Sequence, residues 1–323
     1  MRDKDMGAKE KLMDLNCKPT LLIGIIVTIF IFSGCASNDK SRIQRMGKNA
    51  IPSVSADFPD EILDKKLPEM TGDEYERLGD TLLSRGKLHI AYLQYERSLQ
   101  SNPDNLRVEY KKGLALLLGK KSDDAIEQFK IVLEKDPDFA MAYVGLGRAL
   151  FCKKEYDEAE VNFKKALKLN PALWEAQNFL GNIYDFQKKF KEAVQAYKSA
   201  LAIRPDNGLL YNNLGVSYLL AKEFRKAARA LNRALDLKYT HRKVYNNLGM
   251  AYANLEKYSD ALEAFKQGGG KARAYNNLGC IYLKKRMFEE AIRCFEKAIE
   301  IEPGFYATAN ENLKKIRAAQ GQL

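Results

Sequence analysis

The sequence predicts an all-α protein: a superhelical solenoid of about seven helix-turn-helix units followed by a C-terminal capping helix. Three observations predict it. The pentapeptide YNNLG occurs three times, at 211–215, 245–249 and 275–279, with spacings of 34 and then 30 residues. Aligning on that signature places a glycine at Gly79, Gly113, Gly147, Gly181, Gly215, Gly249 and Gly279, and twelve residues after each comes an alanine, from Ala91 to Ala291. Four residues further stands a large apolar side chain: Tyr95, Phe129, Phe163, Tyr197, Leu231, Phe265 and Phe295. Recurrence at a fixed period of this length is the mark of stacked supersecondary units.

The chain of 323 residues is 46% hydrophobic and 29% charged, which excludes a wholly disordered or polytopic membrane protein. Its N-terminus carries an uncharged apolar run, 21–32, too short to cross a bilayer of roughly 30 Å comfortably. Small residues, Ser33 and Gly34, end the run, as in a secretory signal peptide. Cys35 follows directly, and FSGC resembles the lipobox of bacterial lipoproteins, with Phe32 where leucine is usual. That resemblance implies a signal peptide over 1–34 and acylation of Cys35, giving a lipid-anchored protein in a bacterial membrane. Several acyl chains anchor where one would not. Ala36 after the cysteine implies the outer membrane, facing the periplasm. Residues 35–71 hold Pro52, Pro59 and Pro68 with mixed charge and no periodicity, and read as a flexible tether.

The repeats then run near 72–105, 106–139, 140–173, 174–207, 208–241, 242–271 and 272–305. In each, the glycine of the first helix and the alanine of the second are small where the two cross. The large residue one turn beyond the alanine fills the gap to the next unit. Prolines at 103, 137, 171, 205 and 303 stop second helices. No unit buries its apolar face alone, so the units stack, and an amphipathic helix over 306–323 caps the last one. This pattern resembles the tetratricopeptide (TPR) repeat.

The TPR resemblance implies that positions two, five, six, nine and twelve of each first helix line a concave groove that binds proteins. Position six holds Asn213, Asn247 and Asn277, preceded by Asn212, Asn246 and Asn276. A carboxamide both donates and accepts, so a ladder of them can pair with an extended peptide backbone. The same residues could instead bond neighbouring helices. Met141, Val144, Phe151, Phe179, Leu209, Val216 and Leu219 form an apolar strip at groove positions, read either as a partner surface or as core.

The formal charge of +11 raises nucleic acid or anionic lipid as partners. An exported protein meets no nucleic acid, so the excess is assigned to solvated helix faces. With His89 and His241 its only histidines, no C-x-x-C pair and no phosphate loop, the chain offers no catalytic or metal site and needs no cofactor.

The short sixth repeat ends in KQGGGKARAYNNLG, where three glycines are expected to end its second helix. With Ala272, Ala274 to Gly279, Ala298 to Glu300, Pro303, Phe305, Tyr306, Ala309 and Glu311 to Leu313, this C-terminus resembles the TadD-type TPR lipoproteins of tight-adherence (Tad/Flp) pilus assembly. The resemblance implies a periplasm-facing scaffold for pilus assembly or secretion, with a pilotin acting on a secretin as one form of that role. The alternative is an envelope adaptor that docks peptidoglycan hydrolases or proteases onto their partners.

Overall fold

A computed structural model describes residues 70–303 and 307–319; the expected signal peptide, Cys35 and the tether up to residue 69 lie outside the described residues. Within them the chain forms fifteen α-helices and no strand. Seven helix pairs follow the expected repeats: α1 (Gly72–Ser84) with α2 (Leu88–Ser101), α3 (Leu106–Leu118) with α4 (Ser122–Lys135), and α5 (Ala140–Lys153) with α6 (Tyr156–Leu169). These lie in one compact unit that ends at Pro171. A second unit begins at Ala172. It holds α7 (Trp174–Phe186) with α8 (Phe190–Ile203), α9 (Gly208–Leu220) with α10 (Phe224–Asp236), α11 (Arg242–Asn254) with α12 (Tyr258–Gly269), and α13 (Lys271–Lys284) with α14 (Phe288–Ile301). The helix α15 (Ala307–Ala319) follows.

The local sequence explains each end. Thr71 caps α1 with a capping box: its hydroxyl accepts from the Glu74 amide at 3.3 Å, and its own amide donates to the Glu74 carboxylate at 2.8 Å. Asn105 and Asn207 accept from the first amides of α3 and α9. Second helices stop two residues before each proline, as α2 does at Ser101 before Pro103. In α10, Ala227, Leu231 and Ala234 recur on one face and are fully buried, while its arginines face outward.

The core is one contact repeated. A Cβ added to Gly79 would stand 2.5 Å from the Tyr95 ring, and one on Gly181 would stand 2.6 Å from the Tyr197 ring. Phe129, Phe163, Phe265 and Phe295 cover the matching glycines of their own repeats in the same way, and Leu231 covers Gly215. All seven of these side chains are at most 1% exposed. The ring seats on the glycine of its own hairpin and also fills the gap to the next repeat: Phe129 reaches Gly145, Tyr95 clusters with Val108 and Ala115, and Phe265 with Ala274 and Ile281.

The turn inside each repeat was not apparent in the sequence. The residue seven positions after the signature glycine has positive φ in every repeat: Gly86, Lys120, Lys154, Lys188, Lys222, Glu256 and Arg286. The next amide donates back across the turn, as Lys189 does to the Tyr184 carbonyl at 2.8 Å, which makes a Schellman cap. Only Gly86 advertises it by residue type.

The triple glycine also differs from expectation. α12 continues through Gly268 and Gly269, and the break falls at Gly270 alone, with φ 84° and ψ 170°. Gly268 is small for another reason: a Cβ there would lie 2.4 Å from the Asn246 side-chain oxygen. At the C-terminal end Ala309, Leu313 and Ile316 of α15 are buried, α15 packs on α14, and Arg317 pairs with Glu296 at 2.6 Å.

Two predictions follow from these contacts. Gly181→Ala and Gly268→Ala should each destabilise by about 1–3 kcal/mol through overpacking, and Gly270→Ala by a similar amount through strain. Gly269→Ala, whose Cβ meets only the flexible Arg273 side chain, should be neutral or stabilising by up to about 1 kcal/mol. Urea midpoints that fail to separate Gly269→Ala from the other three would contradict this assignment. Independently, Lys154→Gly should raise stability by about 1 kcal/mol, because glycine adopts φ 69° without the side-chain clash. An unchanged or lowered midpoint would show that the lysine side chain compensates.

Candidate functional site

The first helices α7, α9 and α11 of the second unit lie side by side, α7 against α9 and α9 against α11. Positions five and six of each helix therefore face their counterparts one repeat away. The Asn213 amide donates to the Asn178 oxygen at 2.9 Å, and the Asn247 amide donates to the Asn212 oxygen at 3.4 Å. Within α9 the Asn212 amide donates to the Asn213 oxygen at 3.2 Å. The four side chains form one chain of amides from the fourth repeat to the sixth. Each bond satisfies groups that would otherwise be buried unpaired at about 1–3 kcal/mol apiece.

Of the two readings of these asparagines, bonding between neighbouring helices is the one made by Asn213 and by Asn247 with Asn212. Asn212, Asn213, Asn246, Asn247, Asn276 and Asn277 are all buried, none more than 6% exposed. The close approach of the first helices turns these amides toward one another before any partner arrives. Of the two readings of the apolar strip, core is the one seen at Val144, Phe151, Phe179 and Val216, which are buried, while Met141, Leu209 and Leu219 are half-buried. Phe151 packs its ring on Tyr156 at 5.4 Å.

The amide chain stops between the sixth and seventh repeats, where four residues are missing from the period. By register, Asn277 should donate to Asn246 as Asn247 does to Asn212. Instead the Asn246 oxygen turns over Gly268 and has no hydrogen-bond partner among the described residues. The oxygens of Asn247 and Asn277 and both amide atoms of Asn276 likewise have none among them. The last two repeats thus hold a cluster of unsatisfied carboxamides, and the preceding ones do not.

Beside the satisfied end of the chain lies a buried acid. Asp185, at the end of α7, accepts from the Ser217 hydroxyl at 2.8 Å and meets the Tyr197 hydroxyl at 3.1 Å. Tyr197 also meets the Asn182 oxygen at 2.6 Å. The one tyrosine proton is shared between the Asn182 and Asp185 oxygens. Burial pushes the Asp185 pKa up to about 7 against these hydrogen bonds, and it pushes Tyr197 well above the ordinary phenol range.

The first unit has a different polar centre on the same helix face. Glu76 of α1 is 4% exposed and is held by Arg107 at 2.7 Å and Lys111 at 2.6 Å, both from α3. Lys111 also reaches Asp80 at 2.6 Å, and Asp80 accepts from Tyr95 at 2.9 Å. Sequence reading missed this cluster and the Asp185 network. The signal for Asp185 was an acid at a position where the other repeats carry apolar residues, and for Glu76 a charge where the others carry Tyr, Val or Asn. Among the described residues no group of three or more His, Cys, Asp or Glu is placed to hold a metal ion.

An array of helical hairpins with polar residues on its first helices has the architecture of a protein-interaction scaffold. Family models described as tetratricopeptide repeat match residues 76–130, 110–163, 138–206, 187–248, 243–268 and 272–305, and the chain belongs to that family. No match is found among curated proteins. Among solved structures the chain is similar to the APC/C hetero-tetramer Cut9-Hcn1, at 23% identity and a TM-score of 0.58, covering 79% of this chain and 50% of that one. The chain thus spans half the length of that relative. It is also similar to pilF of Pseudomonas aeruginosa, at 21% identity and a TM-score of 0.52 over 66% of this chain and 96% of that one. A tetratricopeptide repeat protein from Parabacteroides merdae matches at 17% identity and a TM-score of 0.51, covering 76% and 98%. These likenesses show the fold.

The buried acid gives a pH prediction. A carboxyl whose folded pKa lies above its unfolded value of 3.8 adds stability in full below pH 4, and the contribution is lost as pH rises to about 7. Asp185→Asn keeps the shape, accepts from Ser217 and donates to Tyr197 without a titrating proton. Its unfolding free energy from urea titration should exceed that of the parent above pH 7, by an amount on the order of 4 kcal/mol, and the gap should close toward pH 4. Parallel midpoints from pH 4 to 8 would show that Asp185 is ionised throughout.

Proposed function

We propose that this tetratricopeptide-repeat scaffold is lipid-anchored through Cys35, faces the periplasm of a bacterial envelope, and holds an extended protein segment in Flp/Tad-type pilus assembly or secretion. A secretin is the partner the resemblance of its C-terminus suggests. The observation that supports the binding site is the cluster of unpartnered carboxamides at Asn246, Asn247, Asn276 and Asn277. A buried acceptor without a donor costs free energy, and an extended backbone carries a donor at every second residue along one edge. Small rotations of Asn247 and Asn277 would exchange an unsatisfied site for a paired one. The amides from Asn178 to Asn212 have already spent their bonds on each other and act as fixed framework.

The test combines location with capture in the native cell. Cys35→Ser should release the protein from the membrane fraction and abolish lipid labelling; a variant that stays membrane-bound with an intact leader would defeat the anchor. A photo-crosslinking side chain at position 277 should trap an envelope protein of the pilus or secretion machine, and Asn247→Ala with Asn277→Ala should weaken that interaction about tenfold or more. The same changes at Asn178 and Asn213 should lower stability instead. Trapping a peptidoglycan hydrolase or a protease would favour the adaptor role and remove the pilus.

A further inference from the structure

The charge of the chain is not spread evenly. Residues 72–171 carry 17 basic and 17 acidic side chains, whereas 172–323 carry 25 basic and 15 acidic. Part of this excess lines a cleft of about 730 Å³ that lies wholly in the second unit. The turn before α8, the outer face of α8, the end of α9 and the start of α10 form it. Lys226 on the cleft is paired with Glu223 and stands 5.6 Å from the centre of the Tyr218 ring. Lys188, Lys189, Lys191 and Lys198 are exposed and have no ion pair among the described residues. Glu192 is the other acid on the cleft, so its cations exceed its anions by three. Deeper than the lysines, half-buried Phe190 and Val194 and buried Tyr218 form an apolar floor.

The repeat asks for the floor but not for the lysines. The cleft at the same place between α2 and α4 keeps apolar residues at the three floor positions, Leu88, Tyr92 and Leu116. By register it has His89, Glu96 and Asp124 where the second unit has Lys191, Lys198 and Lys226. A helix dipole favours acids in the first turn, and α4, α6 and α14 carry two each there. Lys191 in α8 and Lys226 in α10 stand in first turns against that preference, and Lys189 stands at the cap of α8. Cations gathered at two helix starts cost the free protein stability, and an anionic partner relieves that cost.

We propose that this cleft docks an extended acidic segment of a partner protein, in which carboxylates alternate with aromatic or branched side chains. In an extended chain successive side chains point to opposite faces. Alternation therefore turns the apolar set onto Phe190, Val194 and Tyr218, while the carboxylates stay at the rim within reach of the long lysine stems. Lys191 and Lys198 are two helical turns apart, about 10 Å. Carboxylates two and four residues apart in an extended chain, at about 7 and 13 Å, bracket that spacing. A flat lipid surface would meet the lysines and leave the floor empty. The cleft belongs to the fourth and fifth repeats and the carboxamide cluster to the last two, so the two sites stand or fall separately.

Fluorescence anisotropy with the full chain in detergent and a labelled peptide, DFEVDFE, reads the docking. The peptide should bind saturably in low salt and at least tenfold more weakly at about 0.5 M, where charges are screened beyond about 4 Å. Lys191→Glu with Lys198→Glu should weaken it about tenfold or more. The melting temperature of that variant should hold or rise, because an acid suits the start of α8. Lys238→Glu with Lys257→Glu changes the net charge equally outside the cleft and should leave binding nearly unchanged. The peptide DSESDSE has the same charge and should bind about tenfold more weakly for want of the floor contacts. Absence of binding by DFEVDFE overturns the proposal, as does equal loss in the two lysine pairs or equal binding of the two peptides. Retention on phosphatidylglycerol vesicles that depends on Lys191 and Lys198, while the peptide fails to bind, would make the cleft a membrane surface and equally overturn it.

Discussion

The contact on which this structure depends is a ring lying on a bare backbone. Each hairpin closes because the first helix presents a glycine where the second presents a large apolar side chain, and no Cβ separates them. The seating brings two helices close enough for the alanine twelve residues after the glycine to be wholly buried as well. Every other feature takes its place from that approach: the turn between the helices, the spacing of consecutive first helices, and the face left for polar side chains. A hairpin of this kind has no core of its own, so its stability resides in neighbours.

That contact was readable from the sequence because it uses residue types that vary little from one repeat to the next. The helix pairs, their order and their ends at Pro103 or Pro205 follow from it, and so does the helix after the seventh repeat. The polar interior was less legible. Asn213 and Asn277 look alike in YNNLG, but one is bonded to Asn178 and the other retains an unpartnered oxygen, a difference made by the length of the intervening repeat. Asp185 stood out only as an acid at an otherwise apolar position; its role depends on Ser217, more than thirty residues away, and on Tyr197. The left-handed turns at Lys120 to Arg286 were hidden since a lysine there is indistinguishable from an ordinary surface lysine.

The two units solve the same problem with different chemistry. In the first, consecutive repeats are joined on the first-helix face by charge, with Glu76 between Arg107 and Lys111. In the second they are joined by neutral amides and one acid. Ion pairs are directional but costly to desolvate, and amides carry less penalty and can be extended indefinitely from repeat to repeat. The amide solution also leaves the second unit free to carry a large excess of cations on its outer faces, since its interior contributes little charge.

The missing four residues of the sixth repeat have a consequence for cooperativity. In a linear array, each repeat is stabilised mainly through its coupling to the next, and the weakest coupling decides where the array opens first. The amide chain adds polar coupling from the fourth repeat to the sixth and is absent at the junction with α13. There the coupling is apolar: Ala253, Ala261 and Phe265 share one core cluster with Ala274 and Ile281 of α13, and Tyr258 and Leu262 pack on the cluster of the seventh repeat and α15. Apolar contact is non-directional, so the last junction holds without fixing a register for its carboxamides. Continuity of the array there is kept by packing alone.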